Sequence, residues 1–128
     1  MLQASAIERT ATFDPTGHYR YSLGRRWSDA PTLAIIMLNP SQASSSVDDP
    51  TIRRCIRLAM GWGFGAIAVV NLFAYRSPHP KALRQATDPI GPKNDAALIE
   101  AARNANTILL AWGNWGSWQG RDRAPASC

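Results

Sequence analysis

The chain has 128 residues, 45% of them hydrophobic and 18% charged, with a formal net charge of +5. That length suits a single domain burying about two-thirds of the surface its unfolded chain exposes, and the composition excludes collagen-like and disordered classes. The longest apolar runs, at 33–38 and 66–70, fall far short of the roughly 20 residues a membrane-spanning helix requires, so no membrane contact is expected. The opening MLQASAIERT lacks the charged start and apolar core of a secretion signal, which makes the cytoplasm the default compartment. Cys55 and Cys128 have no metal-ligand spacing, and His18 and His79 are the only histidines, so no metal or other cofactor is expected. The positive charge is compatible with a polyanionic partner such as DNA, although many basic proteins have none.

Residues 1–128 read as one α/β domain. Segments 7–13 and 19–23 resemble two strands joined by Asp14-Pro15-Thr16-Gly17, a turn signal that predicts an N-terminal β-hairpin. After SDAP comes the apolar run TLAIIML at 32–38, whose unbroken hydrophobicity suits a parallel strand covered on both faces. It stops at Asn39-Pro40-Ser41 and enters the serine-rich loop SQASSS. Asp49-Pro50 then offers an N-cap followed by proline at the first helical position. Ile52, Cys55, Ile56, Ala59 and Met60 recur at helical spacing and form one apolar stripe, while Arg53, Arg54 and Arg57 gather opposite. Gly61 and Gly63 end this helix.

A second apolar strand covers 66–73, stopping at Asn71-Leu72-Phe73 and followed by a proline-punctuated loop containing Arg76 and His79. A short helical turn is expected at 81–85. Pro92 can open another helix reaching about Asn104, with Ala97, Leu98, Ala101 and Ala102 inward. Segment 107–112 is a third apolar strand, ending at Trp112-Gly113. Strand, helix, strand, helix, strand at this spacing predicts a parallel sheet with right-handed crossovers.

In such a sheet Asn39-Pro40-Ser41, Asn71 and Trp112-Gly113 all lie at carboxyl ends, where open α/β sheets bind ligands. An asparagine amide offers an acceptor and two donors, which suits a nucleobase edge, and an indole supplies a stacking surface or pocket wall. Asn39 and Ser41 are the candidate catalytic residues; Pro40, Asn71, Phe73, Arg76, Trp112 and Gly113 are the candidate substrate contacts. Arg53, Arg54 and Arg57 are the candidate contacts to a nucleic-acid backbone, or a solvated helix face. Each asparagine alone reads first as an Asx turn at a strand exit, and Trp112 as core; it is the two asparagines at matching positions that point to function. Asp48 and Asp49 form a potential carboxylate pair, although capping accounts for Asp49; His79 is a general-acid candidate or an ordinary loop histidine. No glycine-rich phosphate loop, nucleophile elbow or serine–histidine pairing is present in the sequence.

The stretches YRYSLGRRW, IMLNPSQASSSVDDPTIRRC, GWGFGAIAVVNLFAYRSPHP, DPIGPKND and LLAWGNWG, together spanning most of residues 19–116, closely resemble an uncharacterised family catalogued as a domain of unknown function. More distantly, the chain resembles the uracil-DNA glycosylase superfamily. LNPS at 38–41 is similar to that superfamily's first active-site loop, VVNLF at 69–73 to the strand whose asparagine reads flipped uracil, and Trp112-Gly113 to a Trp-Gly pair at another strand end. The resemblance implies a three-layer α/β/α sandwich with a short, mainly parallel sheet, here carrying the N-terminal hairpin. It also implies nucleobase or nucleic-acid binding, extending to base excision by N-glycosidic hydrolysis. Asn39 would then position water or stabilise charge at the sugar, and Asn71 would bind the edge of a base taken out of the stack. The superfamily's His-Pro loop near the C-terminus has no counterpart, because His79-Pro80 comes too early. Both families run further beyond WGNWG, so the chain is expected to be a shortened version lacking its last elements. The same residues leave two other readings open: action on a small nucleotide-like metabolite, or a non-catalytic module that meets a protein partner through its basic helix face.

Overall fold

The computed structural model describes residues 7–76 and 86–112. The turn expected at 81–85, together with His79, Gly113 and Cys128, lies outside them. Among the described residues are five strands, which form one sheet, and two helices; the architecture is mixed α/β.

Strands β1 (Glu8–Phe13) and β2 (Arg20–Arg26) pair antiparallel as the expected hairpin. The Asp14 carboxylate accepts from the backbone N–H groups of Thr16 and Tyr19, and Gly17 supplies the left-handed residue of the turn at φ 78°. The pairing slips beside Phe13: Thr12 faces Ser22, Phe13 faces Arg20, and Tyr21 is the extra residue. This bulge breaks the two-residue alternation of β2, so that Arg20 reaches the same loop as Arg25 although the two are an odd number of residues apart.

Strand β3 (Thr32–Met37) buries Leu33, Ala34 and Ile35. It lies between β4 (Ala66–Asn71) and β5 (Thr107–Ala111) and is parallel to both, in the order β1-β2-β4-β3-β5. The hairpin joins through β2, antiparallel to β4. Gly65 opens β4 because an added Cβ would lie 2.7 Å from the backbone N and O of Ala30, closer than any side chain tolerates. Its own N–H donates to the Pro31 carbonyl, and its carbonyl accepts from Trp27 and Ser28.

Helix α1 (Pro50–Gly61) is capped by the Asp49 carboxylate, which accepts from the Ile52 N–H at 2.9 Å. Its buried stripe, Ile52, Cys55, Ile56 and Ala59, packs on Leu23, Leu33, Ile35, Ile67 and Val69. Each large aliphatic side chain removed from water there contributes about 1.5–3 kcal/mol, so this face is the main source of cohesion. Helix α2 (Asn94–Asn104) sits by the opposite face, where Ala96, Ala97 and Ala101 line a groove with Ala68 and Val70. Asn94 is fully buried, and its Nδ2 donates to the carbonyls of Asn71 and Leu72, tying the start of α2 to the end of β4.

The elements differ from expectation mainly at their ends. Strand β2 runs on to Arg26, and β4 stops at Asn71 rather than Phe73. Backbone pairing with the β3 segment nevertheless continues through Leu72 N–H to Met37 and Phe73 N–H to Leu38. Among the described residues strand β5 pairs with β3 alone, and Ile108 and Leu110 are 43% and 58% exposed. Among the described residues no helix is long and apolar enough to cross a membrane, and no group of His, Cys, Asp or Glu is placed to hold a metal ion.

Candidate functional site

The loop that leaves β3, residues 39–49, folds back over the α1 side of the sheet and is held there by two fully buried arginines of β2. Arg25 is completely engaged. Its Nε donates to Asp48 at 2.7 Å, its Nη1 to the carbonyls of Thr10 and Gly24, and its Nη2 to those of Ser44 and Val47. Arg9 adds a two-pronged contact to the same carboxylate, Nε to Oδ1 at 3.3 Å and Nη2 to Oδ2 at 3.0 Å. Burial acts to raise the Asp48 pKa, but the hydrogen bonds from Arg9 and Arg25 outweigh it and hold the carboxyl below its ordinary range.

Asp49 does more than cap α1. Its Oδ2 accepts from the N–H groups of Gln42 and Ala43, at 2.7 and 3.1 Å, and the Ser41 hydroxyl also bonds to it. Burial again opposes ionisation, and the donors from Ile52, Ser41, Gln42 and Ala43 overcome it, leaving the pKa lowered. The carboxylate predicted as a cap therefore also fixes the turn that follows Pro40.

Arg20 meets that turn from the other side. Its Nη1 donates to the Ala43 carbonyl at 3.0 Å and, at 3.4 Å, to the carbonyl and hydroxyl oxygens of Ser41. Unlike Arg25 it has no carboxylate bound to it among the described residues, and its Nε and Nη2 are buried without a hydrogen-bond partner there. Burial, partly offset by the nearby charge of Asp49, pulls its pKa down to about 10, still far enough above neutrality to keep the guanidinium charged. A buried charge so poorly compensated is costly, commonly by several kcal/mol.

Asn71 is the last residue of β4, following Ile67 and Val69 on the α1 side by strand alternation. It is wholly buried, and neither its Oδ1 nor its Nδ2 has a partner among the described residues. Its β3 neighbour is Met37, two residues before Asn39. Arg20 stands on β2, to one side of β4, and bonds a loop that leaves β3, to the other side. Its side chain therefore crosses the carboxyl end of β4 on the face that carries Asn71.

The remaining expected residues are placed as follows. Asn39 and Ser41 are half-buried and Pro40 is buried. Phe73 is fully buried with Leu72 in an apolar cluster, and half-buried Trp112 packs against that cluster beside Ile36 and Leu38. Ile36 faces away from Ile35 and the α1 core, so Trp112 shares the sheet edge with Asn71 but walls it from the α2 side. Arg76 is occupied at the hairpin: its Nη1 donates to the Gly17 carbonyl at 3.1 Å and its guanidinium lies 4.9 Å from the Phe13 ring centre. Arg53, Arg54 and Arg57 are exposed and, with Pro50 and Thr51, line a shallow groove of about 420 Å³ at the start of α1. Asp48 and Asp49 serve separate hydrogen-bond networks.

Arg20 and Asn94 are the residues that sequence reasoning passes over. Counting back by twos from Leu23 puts Tyr21, not Arg20, on the inner face, and only the bulge reverses this. Asn94 follows Pro92 like any first-turn residue, and its tie to β4 is a long-range contact without a local signature.

Fold and candidate site together are those of a mixed α/β protein that buries both an arginine of β2 and the asparagine that ends β4. The chain belongs to the family described as protein of unknown function (DUF1643), whose model matches residues 20–127. Neither the curated proteins nor the solved structures contain a match.

Proposed function

We propose that this edge of the sheet binds a nucleobase or a nucleotide-like molecule, with Asn71 reading the edge of the base. The observation that carries the reading is the Asn71 amide, fully buried at a strand end with both polar atoms unpartnered among the described residues. Leaving such a group without hydrogen bonds costs about 1–3 kcal/mol, a burden that folding alone gives no reason to keep. An amide presents an acceptor beside donors, the complement of a pyrimidine or purine edge.

On this reading Asn39 and Ser41 border the reacting part of the ligand, Trp112 with Phe73 forms an apolar wall, and the row Arg53, Arg54 and Arg57 is available to phosphates of a nucleic acid. The finer version, a glycosylase-like three-layer sandwich that excises bases, rests on the likeness of LNPS, VVNLF and the Trp112-Gly113 pair. There Asn39 would hold the attacking water. The complete burial of Asn71 favours a second reading, a free nucleotide-like metabolite, because a small ligand can be enclosed where a duplex cannot. A reducing compartment such as the cytoplasm suits the buried free thiol of Cys55.

The test is a thermal-shift and calorimetric comparison of the wild type and Asn71→Asp with uracil, uridine and uracil-containing single- and double-stranded DNA at low salt, followed by an assay of base release. Selective binding that weakens at least about tenfold, or 1.4 kcal/mol, in the variant is expected. Absence of binding to all four at low salt, where phosphate contacts are strongest, overturns the reading.

A further inference from the structure

Resting on the reading of Asn71 as a ligand-facing group, we propose that Arg20 is a second recognition residue of the same site, and that it takes an oxyanion of the ligand, a carboxylate or a phosphate, through its Nε–Nη2 edge. The two unpartnered nitrogens of Arg20 are not a random pair. In a guanidinium, Nε–H and one Nη2–H point in parallel from one side, the fork that matches two oxygens of a carboxylate or phosphate. Among the described residues the fold spends only Nη1, on Ser41 and Ala43, and leaves that side entire.

Two arginines of the same hairpin serve as internal references. Arg9 uses its Nε and Nη2 for the two oxygens of Asp48, the same bidentate contact proposed for Arg20. Arg25, as deeply buried as Arg20, has its Nε on Asp48 and both Nη atoms on carbonyls. Among the described residues, protein acceptors are therefore supplied to two of these cations and withheld from one side of the third. Asp49, whose charge acts on Arg20, is already engaged by Ser41, Gln42, Ala43 and Ile52, while the nearby positive charges of Arg25 and Arg76 oppose it. An incoming anion would satisfy the free fork and relieve this surplus of positive charge.

The Nη1 bonds also restrict the guanidinium. They anchor the guanidinium beneath residues 41–43, so its side chain spans the end of β4, on the face where the Asn71 amide stands. A ligand reaching both residues carries an oxyanion beside an amide-like edge. Uridine monophosphate and a pyrimidine carboxylate such as orotate are the two simplest probes of that description.

The experiment follows the Nε–H resonance of Arg20 in isotope-labelled wild-type protein during titration with sodium phosphate, acetate, uridine, uridine monophosphate, orotate and a uracil-containing single strand. Calorimetry of Arg20→Lys, which keeps charge but loses the fork, and of Asn71→Ala accompanies it. The proposal expects phosphate- or carboxylate-bearing probes, and not uridine, to shift the Nε–H signal, with at least tenfold weaker binding in Arg20→Lys. Uridine monophosphate against orotate distinguishes phosphate from carboxylate, and the single strand distinguishes a free nucleotide from nucleic acid. Shifts with phosphate or acetate but no preference for any base would sustain the Arg20 site and overturn the base-reading role of Asn71. Binding that depends on Asn71 but leaves the Arg20 signal unmoved would overturn the proposal and sustain the base reading. An Nε–H signal indifferent to every oxyanion overturns it whether or not the variants fold.

Discussion

On the proposed reading stability and binding pull in opposite directions at Asn71, because an amide sealed at the end of β4 with no hydrogen-bond partner among the described residues weakens the fold it belongs to. Asn71→Leu, which keeps the branched shape and is free of polar atoms, is therefore expected to leave the protein as stable as before or to raise its stability by about 1–3 kcal/mol, while abolishing base-dependent binding. Denaturant melts read the first effect and calorimetry the second; a loss of several kcal/mol would mean that the amide is a structural group. Arg25 behaves differently, since each of its nitrogens is matched within the fold.

At the scale of elements, the loop between β3 and α1 depends on Asp49 as much as the helix does. Asp49→Ala removes a cap, which alone is worth about 0.5–2 kcal/mol, together with the bonds to Gln42 and Ala43. The expected loss is about 2 kcal/mol or more, measured by urea unfolding. Because the pKa values of Asp48 and Asp49 are lowered on folding, the unfolded chain binds more protons just below the ordinary carboxylate value of 3.8. Their stabilisation is thus fully present above that value and fades as the pH falls through the lowered ones. Acid melts of Asp48→Asn and Asp49→Asn should accordingly lie closer to the wild type at low pH than at neutral pH. The elements were largely readable in advance for local reasons: Asp49-Pro50 marks the start of α1, the apolar stripe from Ile52 fixes its buried side, and Asp14 to Gly17 marks the hairpin. The candidate site was readable only in part. Asn39, Asn71 and Trp112 follow apolar runs and so announce a strand end, whereas Arg20 enters through a bulge and Asn94 through a distant pairing, neither of which has a periodic signature.

Across the whole molecule the sheet is unequally covered. Apolar composition makes 107–112 look like 32–38, but Ile35 is 2% exposed in the middle of the sheet and Leu110 58% exposed on β5. Truncation should report the difference: Ile35→Ala is expected to cost about 2–5 kcal/mol and Leu110→Ala less than about 1, in paired denaturant melts. Equal costs would show that β5 is covered in solution. The family match begins at Arg20, after β1, yet β1 supplies Arg9 and the Thr10 carbonyl to the network that holds the 39–49 loop.

Arg20 and Asn71 expose none of their surface, and Arg20 is fastened to the turn at 41–43. If the proposed ligand binds there, it reaches the two side chains only when the surrounding structure opens, and the Arg20 bonds to this turn are the contacts such an opening would break. Stopped-flow traces should consequently reach a plateau in observed rate as ligand concentration rises, the plateau being the opening frequency of the turn. Loosening the Arg20 bonds with Ser41→Gly should raise that ceiling; a rate that climbs linearly without limit would mean that the entrance stands open.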